Sequence, residues 1–255
     1  SFQATAKDGT PVLLDAEWKA VEGSKYFGTP YLYKENGFKE REKAEELIAY
    51  LKEEPPLEAK VLSKEKKKET KNPPLLYNLA ELQNDCSKMF KISPDETLKV
   101  VQELYEKKLV TYPRTDARVL STAVAKEIYK NINGLMRYEP MAGFAKEAMD
   151  LGSFKGIAKT RYVNDKQITD HYAIIPTGQG MGNLRGLSPL SEKVYQVVCR
   201  RFLSIFYPAA IYQKYSLVLE RKKEQFFASF KVLSEPGYLK VADVNLAKKS
   251  SIQET

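Results

Sequence analysis

Hydrophobic and polar residues alternate at the two ends of this chain. Residues 2–22 alternate around a turn signal at Asp8-Gly9, and alternation returns after Pro208, over residues 215–232. Successive side chains of a strand lie on opposite faces, so this pattern is typical of a sheet with one buried face. Both ends of the chain are therefore predicted to be β structure.

Between these ends, apolar residues recur at helical spacing. A first helix is predicted over residues 40–54, before Pro55-Pro56, and helical spacing dominates residues 79–206. Ser93-Pro94 and Ser188-Pro189 each combine a capping serine with proline at the first helical position. Ser121 is predicted to cap a helix through Ile132, and the helix from Ser188 is predicted to reach about Phe206. The helix after Ser93 is predicted to bury Leu98, Val101, Leu104 and Tyr105.

This layout predicts a multidomain fold containing both α and β structure. A discontinuous β-rich arch domain, residues 1–78 and 207–255, is expected to carry an inserted, mainly α-helical domain, residues 79–206. A polar tail from Lys248 is expected to fray. The order of β, α and β along the chain favours an insertion over two domains in tandem.

A run of lysines follows a short predicted strand over residues 57–62. The run consists of Lys64, Lys66, Lys67, Lys68 and Lys71. Charge runs are usually solvated, so the first interpretation is an exposed strand edge or loop. A rim that attracts phosphate groups is the second interpretation.

Composition favours a polyanionic partner and a reducing compartment. The 255 residues include 41 Lys and Arg against 33 Asp and Glu, a net charge of +8. Cys86 and Cys199 cannot form a disulfide framework, which predicts a cytoplasmic location. No apolar run approaches the roughly 18 residues of a membrane span, so no membrane partner is expected. Because the chain starts with Ser1 and at once with a predicted strand, we expect a piece of a longer protein.

Several common site motifs are absent from the sequence. No Gly-x-x-x-x-Gly-Lys-Ser/Thr motif is present, which excludes a P-loop nucleotide hydrolase. Gly178, Gly180 and Gly182 alternate without a convincing helix after them, which predicts a flexible loop rather than a dinucleotide site. One histidine, two distant cysteines and no Asp-x-Asp pair predict no metal site in this chain.

The segment Val110–Asp116, Val-Thr-Tyr-Pro-Arg-Thr-Asp, places a tyrosine near an arginine. Proline after Tyr112 disfavours helix, and residues two apart share a face of an extended segment. Tyr112, Arg114 and Asp116 are therefore expected on one face. A phenol oxygen can attack phosphorus while a guanidinium clamps phosphate oxygens. A tyrosine that only packs is the alternative.

The only histidine lies in a second segment, Ile168–Thr177, with the sequence Ile-Thr-Asp-His-Tyr-Ala-Ile-Ile-Pro-Thr. A lone histidine in an apolar segment is commonly a core residue. An accessible imidazole at His171 could instead donate to a DNA phosphate or assist proton transfer.

Together the two segments resemble the motifs of the type IA DNA topoisomerases. Further matches are Pro73-Pro74-Leu75, Leu82-Gln83 and Gln102-x-Leu104-Tyr105-Glu106. Proline after Tyr112 and aspartate before His171 resemble the topoisomerase III branch. The resemblance extends from about Phe2 to Val241, which is nearly the whole chain.

The resemblance implies a role for each motif residue. Tyr112 is expected to attack a phosphate of single-stranded DNA and to hold the 5′ end covalently. Arg114 is expected to contact the scissile phosphate, and His171 to assist DNA binding and cleavage. Thr115 is placed with Arg114 and His171 among the DNA-binding residues. The positions that are interpreted as caps or supports are Thr115, Asp116 and Thr177.

The resemblance also implies an incomplete enzyme. In the family, a Toprim domain holds magnesium and catalytic acids, and its lysine, glutamate and Asp-x-Asp signature are missing here. Magnesium is therefore expected as a cofactor of that missing domain, not of this chain. The expected partners are single-stranded DNA and the remaining domains, at the bacterial nucleoid. Cleavage and rejoining need no ATP, and the isolated chain is expected to be inactive.

Three other functions compete with this one. A non-catalytic module for single-stranded nucleic acid explains the charge and the aromatic residues but leaves both motifs unexplained. A tyrosine recombinase requires His-x-x-Arg before a late tyrosine, whereas Tyr112 precedes the only histidine and position 174 is isoleucine. A purely structural scaffold is the third.

Overall fold

The structure is a computed structural model that describes residues 1–243, and these residues form two compact units. The first unit contains residues 1–70 and 211–234, and the second contains residues 71–210 and the described residues from 235 on. Domain limits at 78/79 and 206/207 stay a prediction, because compact packing alone does not define an independently folding domain. The tail from Lys248 lies outside the described residues.

The first unit is built mainly of antiparallel strands, as predicted for the ends of the chain. Its elements are β1 (Phe2–Thr5), β2 (Pro11–Leu14), β3 (Glu17–Lys19), β4 (Leu32–Lys34), β5 (Gly37–Phe38), α1 (Arg41–Lys52), β6 (Lys60–Lys71), β7 (Ala210–Arg221) and β8 (Glu224–Glu235). Strands β1 and β2 form a hairpin that pairs Phe2 with Leu14, and β4 pairs with β5. The largest sheet has the order β3-β8-β7-β6.

A buried carboxylate fixes the start of β8 against the loop after β3. Glu224 is fully buried and accepts hydrogen bonds from the Trp18 indole at 2.8 Å and the Ser24 hydroxyl at 2.7 Å. The Lys25 backbone N–H donates to its other oxygen at 2.8 Å. Burying a polar side chain is costly unless its atoms are hydrogen-bonded, and these three donors meet that need. Beside it, Trp18 stacks on Phe38 with ring centroids 4.9 Å apart.

The lysine run lies within β6, which is longer than the strand predicted over residues 57–62. β6 is an edge strand of the sheet, and its lysines are exposed. An exposed edge tolerates lysine because the side chains extend into solvent and discourage pairing with other strands. The interpretation of the run as a solvated strand edge is confirmed, and the predicted strand end at residue 62 is wrong.

The second unit is mainly helical, as predicted for the middle of the chain. Its α-helices are α2 (Leu79–Phe90), α3 (Pro94–Glu106), α4 (Thr122–Lys126), α5 (Ile128–Leu135), α6 (Glu139–Leu151), α7 (Pro189–Ser204) and α8 (Leu239–Ala242). Short 3₁₀ helices cover Ser153–Lys159, Asp165–Gln167 and Met181–Gly186. Within residues 1–243, no helix is both long enough and apolar enough to cross a membrane.

Side-chain caps begin four of these helices. Asn78, Ser93, Ser121 and Ser188 each accept a hydrogen bond from the backbone N–H three residues later. The predicted starts at the three serines are confirmed. The predicted single helix from Ser121 through Ile132 is wrong, because Glu127 leaves helical geometry (φ −114°, ψ 9°) and separates α4 from α5.

Two sequence predictions about packing differ from the structure. Tyr105 was predicted to join the buried stripe of α3, but it is 39% exposed, while Val101 and Leu104 are buried and Leu98 is half-buried. The predicted flexible loop around Gly178 is closely packed. A Cβ atom on Gly134 of α5 would lie 2.0 Å from the Gly178 carbonyl oxygen, so only glycine permits this approach.

Candidate active site

The extended segment between α3 and α4 alternates in burial. One face is buried and consists of Pro113, Thr115 and Ala117. The other face consists of the half-buried Tyr112 and the exposed Arg114 and Asp116. This alternation agrees with the extended conformation predicted from the proline, and it turns the tyrosine and the arginine away from the core.

Backbone hydrogen bonds join this segment to the segment that carries the histidine. The Thr111 N–H donates to the Ile175 carbonyl at 2.9 Å, and the Thr177 N–H donates to the Leu109 carbonyl at 3.0 Å. Val110 and Pro176 form an antiparallel bridge between these bonds. The two motifs, distant in sequence, therefore lie side by side.

Two threonine hydroxyls strengthen the pairing. The Thr111 hydroxyl donates to the Ala173 carbonyl and accepts from the Ile175 N–H, both at 3.0 Å. The Thr115 hydroxyl donates to the His171 carbonyl at 2.9 Å and accepts from the Ala117 N–H at 3.1 Å. Thr115 thus fixes the backbone of the histidine from a buried position, and its contact with DNA stays a prediction.

The pairing brings the tyrosine and the histidine into contact. The rings of Tyr112 and His171 have centroids 4.3 Å apart and are tilted by 41°. Tyr105 lies on another side of the phenol, with ring centroids 5.3 Å apart in an edge-to-face arrangement. The partly exposed Tyr105 therefore lies in the site, beside the Tyr112 ring.

Three polar side chains of the site have no polar partner among residues 1–243. In the described part of the chain, the Tyr112 hydroxyl and the side chains of Arg114 and His171 form no hydrogen bond or ion pair. His171 and Arg114 are exposed, so solvent or a bound anion can reach both. The histidine is not the core residue that the alternative interpretation predicted. Arg114 shares a face with Tyr112, but the structure shows no contact between them.

A network of hydrogen bonds and one ion pair, involving Tyr77, Asp85 and Arg201, contacts the histidine segment. The Ile174 N–H donates to the Tyr77 carbonyl at 2.8 Å, and the Tyr77 hydroxyl donates to Asp85 at 2.6 Å. Arg201 forms an ion pair with Asp85 at 3.1 Å, and its guanidinium carbon lies 4.1 Å from the centre of the Tyr77 ring. Burial raises the pKa of Tyr77, which therefore stays protonated and keeps donating to Asp85.

The donor atoms of residues 1–243 do not form a group suited to magnesium. Across residues 1–243, no three side chains of His, Cys, Asp or Glu are close enough together to hold a metal ion. Magnesium prefers several oxygen ligands in octahedral geometry. Asp116 lies on the exposed face and belongs to no cluster of three such side chains among the described residues.

Sequence reasoning missed two residues that position the site. The motif indicates no role for Thr111, and helical spacing predicts Tyr105 in the core. The signal for Thr111 was its place directly before the tyrosine. The signal for Tyr105 was its place in the matching sequence Gln102-x-Leu104-Tyr105-Glu106. Thr177 was predicted to be a cap or support, and its hydroxyl donates to the Lys108 carbonyl at 2.6 Å.

Known proteins with similar sequences are DNA topoisomerases, in agreement with the two motifs. The sequence model of a DNA topoisomerase family matches residues 15–255. DNA topoisomerase 3 of Bacillus subtilis is 39% identical over 184 residues, which are 71% of this chain and 24% of that protein. DNA topoisomerase 3 of Bacillus licheniformis is 38% identical over 171 residues, or 67% of this chain and 23% of that protein.

The fold also agrees with a solved structure. Full-length topoisomerase I from Thermotoga maritima superposes with a TM-score of 0.56 and 22% identity, covering 82% of this chain and 32% of that one. This likeness concerns the fold alone. The chain spans about a quarter of the length of the Bacillus relatives. From its sequence and its fold, this chain belongs to the type IA DNA topoisomerase family.

Proposed function

We propose that this chain is the part of a topoisomerase III-like enzyme that supplies the nucleophile for cleavage of single-stranded DNA. The observation that carries the proposal is the ring contact between Tyr112 and His171, where neither the phenol oxygen nor the imidazole has a hydrogen-bond partner among the described residues. Family membership supports an isomerase acting on DNA. The chemistry of the tyrosine is inferred from its geometry and from the family motif.

The reaction is a transfer of a phosphodiester bond. The Tyr112 Oη attacks phosphorus, a bond forms between that oxygen and phosphorus, and the bond from phosphorus to the 3′ oxygen breaks. The phenol proton is lost and the leaving 3′ oxygen gains a proton, so the products are a 5′-phosphotyrosine and a free 3′ hydroxyl. Attack by that hydroxyl reverses the step, so the DNA is rejoined without ATP after a strand has passed.

The neighbouring side chains serve this transfer in different ways. His171 contacts the Tyr112 ring, and its imidazole can donate a hydrogen bond to phosphate or assist proton transfer. The planar guanidinium of Arg114 is suited to bind two phosphate oxygens at once and to balance the developing charge. Both side chains are exposed and form no hydrogen bond or ion pair with a described residue, so a phosphate can reach them.

The remaining parts of the reaction belong to segments outside this chain. We assign magnesium to the Toprim domain that the family resemblance implies for the parent protein. When bound there, the metal would supply electrostatic stabilisation of phosphate oxygens. We place the parent enzyme in the bacterial cytoplasm, acting on nucleoid DNA. The isolated chain is expected not to relax supercoiled DNA.

The test uses the full-length parent protein and a single-stranded oligonucleotide labelled at its 3′ end. Tyr112→Phe keeps the ring and its packing but removes the nucleophilic oxygen, so the covalent adduct should be abolished while folding and DNA binding persist. Tyr129→Phe is the control, because Tyr129 is an exposed tyrosine of the same unit that has no ring contact with His171. It should form the adduct normally.

Two further variants rank the neighbours. Arg114→Lys keeps the charge but loses the planar fork, so adduct formation should slow without stopping. His171→Ala should reduce the rate by about 10²–10⁴-fold, the usual contribution of a positioned acid or base. An adduct that persists in Tyr112→Phe would refute the proposal. A His171→Ala protein that unfolds would favour the structural alternative.

A further inference from the structure

The first unit presents a row of lysines on one face of its edge strand. Side chains alternate along β6, so Lys64, Lys66 and Lys68 lie on one face at intervals of about 6.6 Å. All three are exposed, and none forms an ion pair with a described residue. The face therefore carries an uncompensated positive charge in a regular row.

Two aromatic rings lie next to this row on the same face. The ammonium groups of Lys64 and Lys66 lie 5.7 and 5.8 Å from the centre of the Tyr215 ring on β7. Tyr215 stacks on Phe230 of β8, with ring centroids 5.2 Å apart and planes 20° apart. Phe230 is 38% exposed, so part of its aromatic ring remains open to solvent.

The opposite face of the same strands has a different electrostatic character. There Glu69 forms an ion pair with Lys231, and this bond lowers the pKa of the Glu69 carboxyl, with help from Lys214 and Lys67. Lysines on that face are thus partly balanced by a carboxylate. That face therefore contains an ion pair, whereas Lys64, Lys66 and Lys68 form none with a described residue.

Space for a ligand exists beside the rings. Lys64, Tyr215 and Phe230 contribute to the wall of a groove of about 1030 Å³ within the first unit. The other walls include Leu57, Leu217 and Leu219. The groove can admit flat apolar groups of a ligand whose negative charges bind to the lysine row.

We propose that Lys64, Lys66, Lys68, Tyr215 and Phe230, the lysine–aromatic face, form a second binding surface for single-stranded nucleic acid. Proteins bind single strands by combining a positive track for phosphates with aromatic rings on which bases stack, and this face has both. Edge protection alone explains the lysines but not the exposed Phe230 ring and the half-buried Tyr215 ring beside them. The surface goes beyond the proposed function, since it lies in the unit that does not contain Tyr112.

Binding of the 255-residue chain to an oligothymidylate of about 16 nucleotides tests the electrostatic part. Lys64→Gln with Lys66→Gln should weaken binding several-fold. This double substitution should also reduce the steepness of the plot of log affinity against log salt concentration by about 1.4. Each phosphate contact on a single strand contributes about 0.7 to that steepness. Lys67→Gln with Lys214→Gln removes the same charge from the opposite face and should leave the slope nearly unchanged.

Variants of the rings test the stacking part. Phe230→Leu keeps an apolar side chain and should weaken binding at least about fivefold, the loss expected for one stacked base. Phe227→Leu is the matched control, because this ring belongs to the other face of β8. Ultraviolet cross-linking of the oligonucleotide should label the peptide that contains Phe230.

Three outcomes would overturn the proposal. Equal loss of affinity in the two lysine pairs would show that only net charge matters. Unchanged affinity of Phe230→Leu for the oligonucleotide would show a general site for acidic polymers. The same conclusion would follow if polyglutamate displaced the labelled oligonucleotide as well as unlabelled oligonucleotide does. Aggregation of the lysine variant without any change in DNA affinity would show edge protection. None of these affects the Tyr112 adduct in the parent enzyme, so the proposed function is tested separately.

Discussion

Thr111 and Thr115 each use a single hydroxyl to join two backbone groups. A hydroxyl has one donor hydrogen and two acceptor lone pairs, so it can satisfy a carbonyl and an N–H at once. Each threonine thereby holds a part of the histidine segment against the tyrosine segment. At the scale of residues, the position of the His171 backbone depends on side chains that are themselves chemically inert.

Replacing Thr115 with valine tests this dependence. Valine keeps the shape but leaves the His171 carbonyl and the Ala117 N–H without their partner, so the free energy of unfolding should fall by about 1–3 kcal/mol. Denaturant unfolding of the 255-residue chain measures this change. Thr5→Val, at an exposed position of β1, should change stability by less than about 0.5 kcal/mol. Similar effects of the two substitutions would contradict the role given to the Thr115 hydroxyl.

At the scale of elements, α5 and the chain after the histidine segment are joined through two glycines. Gly134 lies where the Gly178 carbonyl approaches the helix, and Arg137 donates to the same carbonyl at 3.0 Å. Asn131 of α5 donates to the Pro176 carbonyl at 2.9 Å. The helix therefore holds the end of the histidine segment by its backbone.

Alanine at two helical glycines should have opposite effects. Gly→Ala inside a helix ordinarily stabilises by about 0.5–1 kcal/mol, and Gly143→Ala in α6 should do so, since its Cβ would meet nothing within 4 Å. Gly134→Ala should destabilise instead, because its Cβ would overlap the Gly178 backbone. Thermal unfolding compares the two variants directly. A stabilised Gly134→Ala protein would mean that the approach of the two segments is looser than described.

Local signals in the sequence predicted elements better than they predicted packing. The caps at Ser93 and Ser188 were predictable because a cap involves only residues within one turn. The exposure of Tyr105 was not, because it depends on Tyr112 in another segment. The break at Glu127 gives no local signal either, since glutamate is a good helix former.

The site was predictable only in part. The motifs themselves indicated Tyr112 and His171, and their resemblance to a known family indicated that they act together. The Thr111 hydroxyl was not predictable, because its partners are 62 and 64 residues away in the chain. Arg114 remains a prediction as a phosphate ligand, since the described chain offers it no partner.

At the scale of the whole molecule, two buried thiols make stability sensitive to alkaline pH. Burial raises the pKa of Cys86 to about 12, with a smaller contribution from Asp85, and burial also raises the pKa of Cys199. An unfolded thiol has a pKa of about 8.5. The folded state therefore keeps protons that the unfolded state releases, and this contribution to stability is complete below about pH 8.5 and declines above it.

The free energy of unfolding should accordingly fall between about pH 8.5 and 10, by up to about 1.4 kcal/mol per pH unit for each thiol. Urea unfolding at several pH values measures the slope. Cys86→Ala should lower stability at pH 7 through lost packing but should make the alkaline decline shallower. Rapid labelling of both cysteines by a thiol reagent in the native state would contradict their burial.

The pairing of Thr111 with Ile175 also has a consequence for synthesis. The two residues are 64 positions apart, and ribosomes add about 5–20 residues per second, so about 3–13 s separate their appearance. During that interval the nascent chain already contains Tyr112 but has neither the imidazole nor the strand that positions it. Tyr105, made earlier, is already present, but Tyr112 can contact the His171 ring only after about 60 further residues have been made.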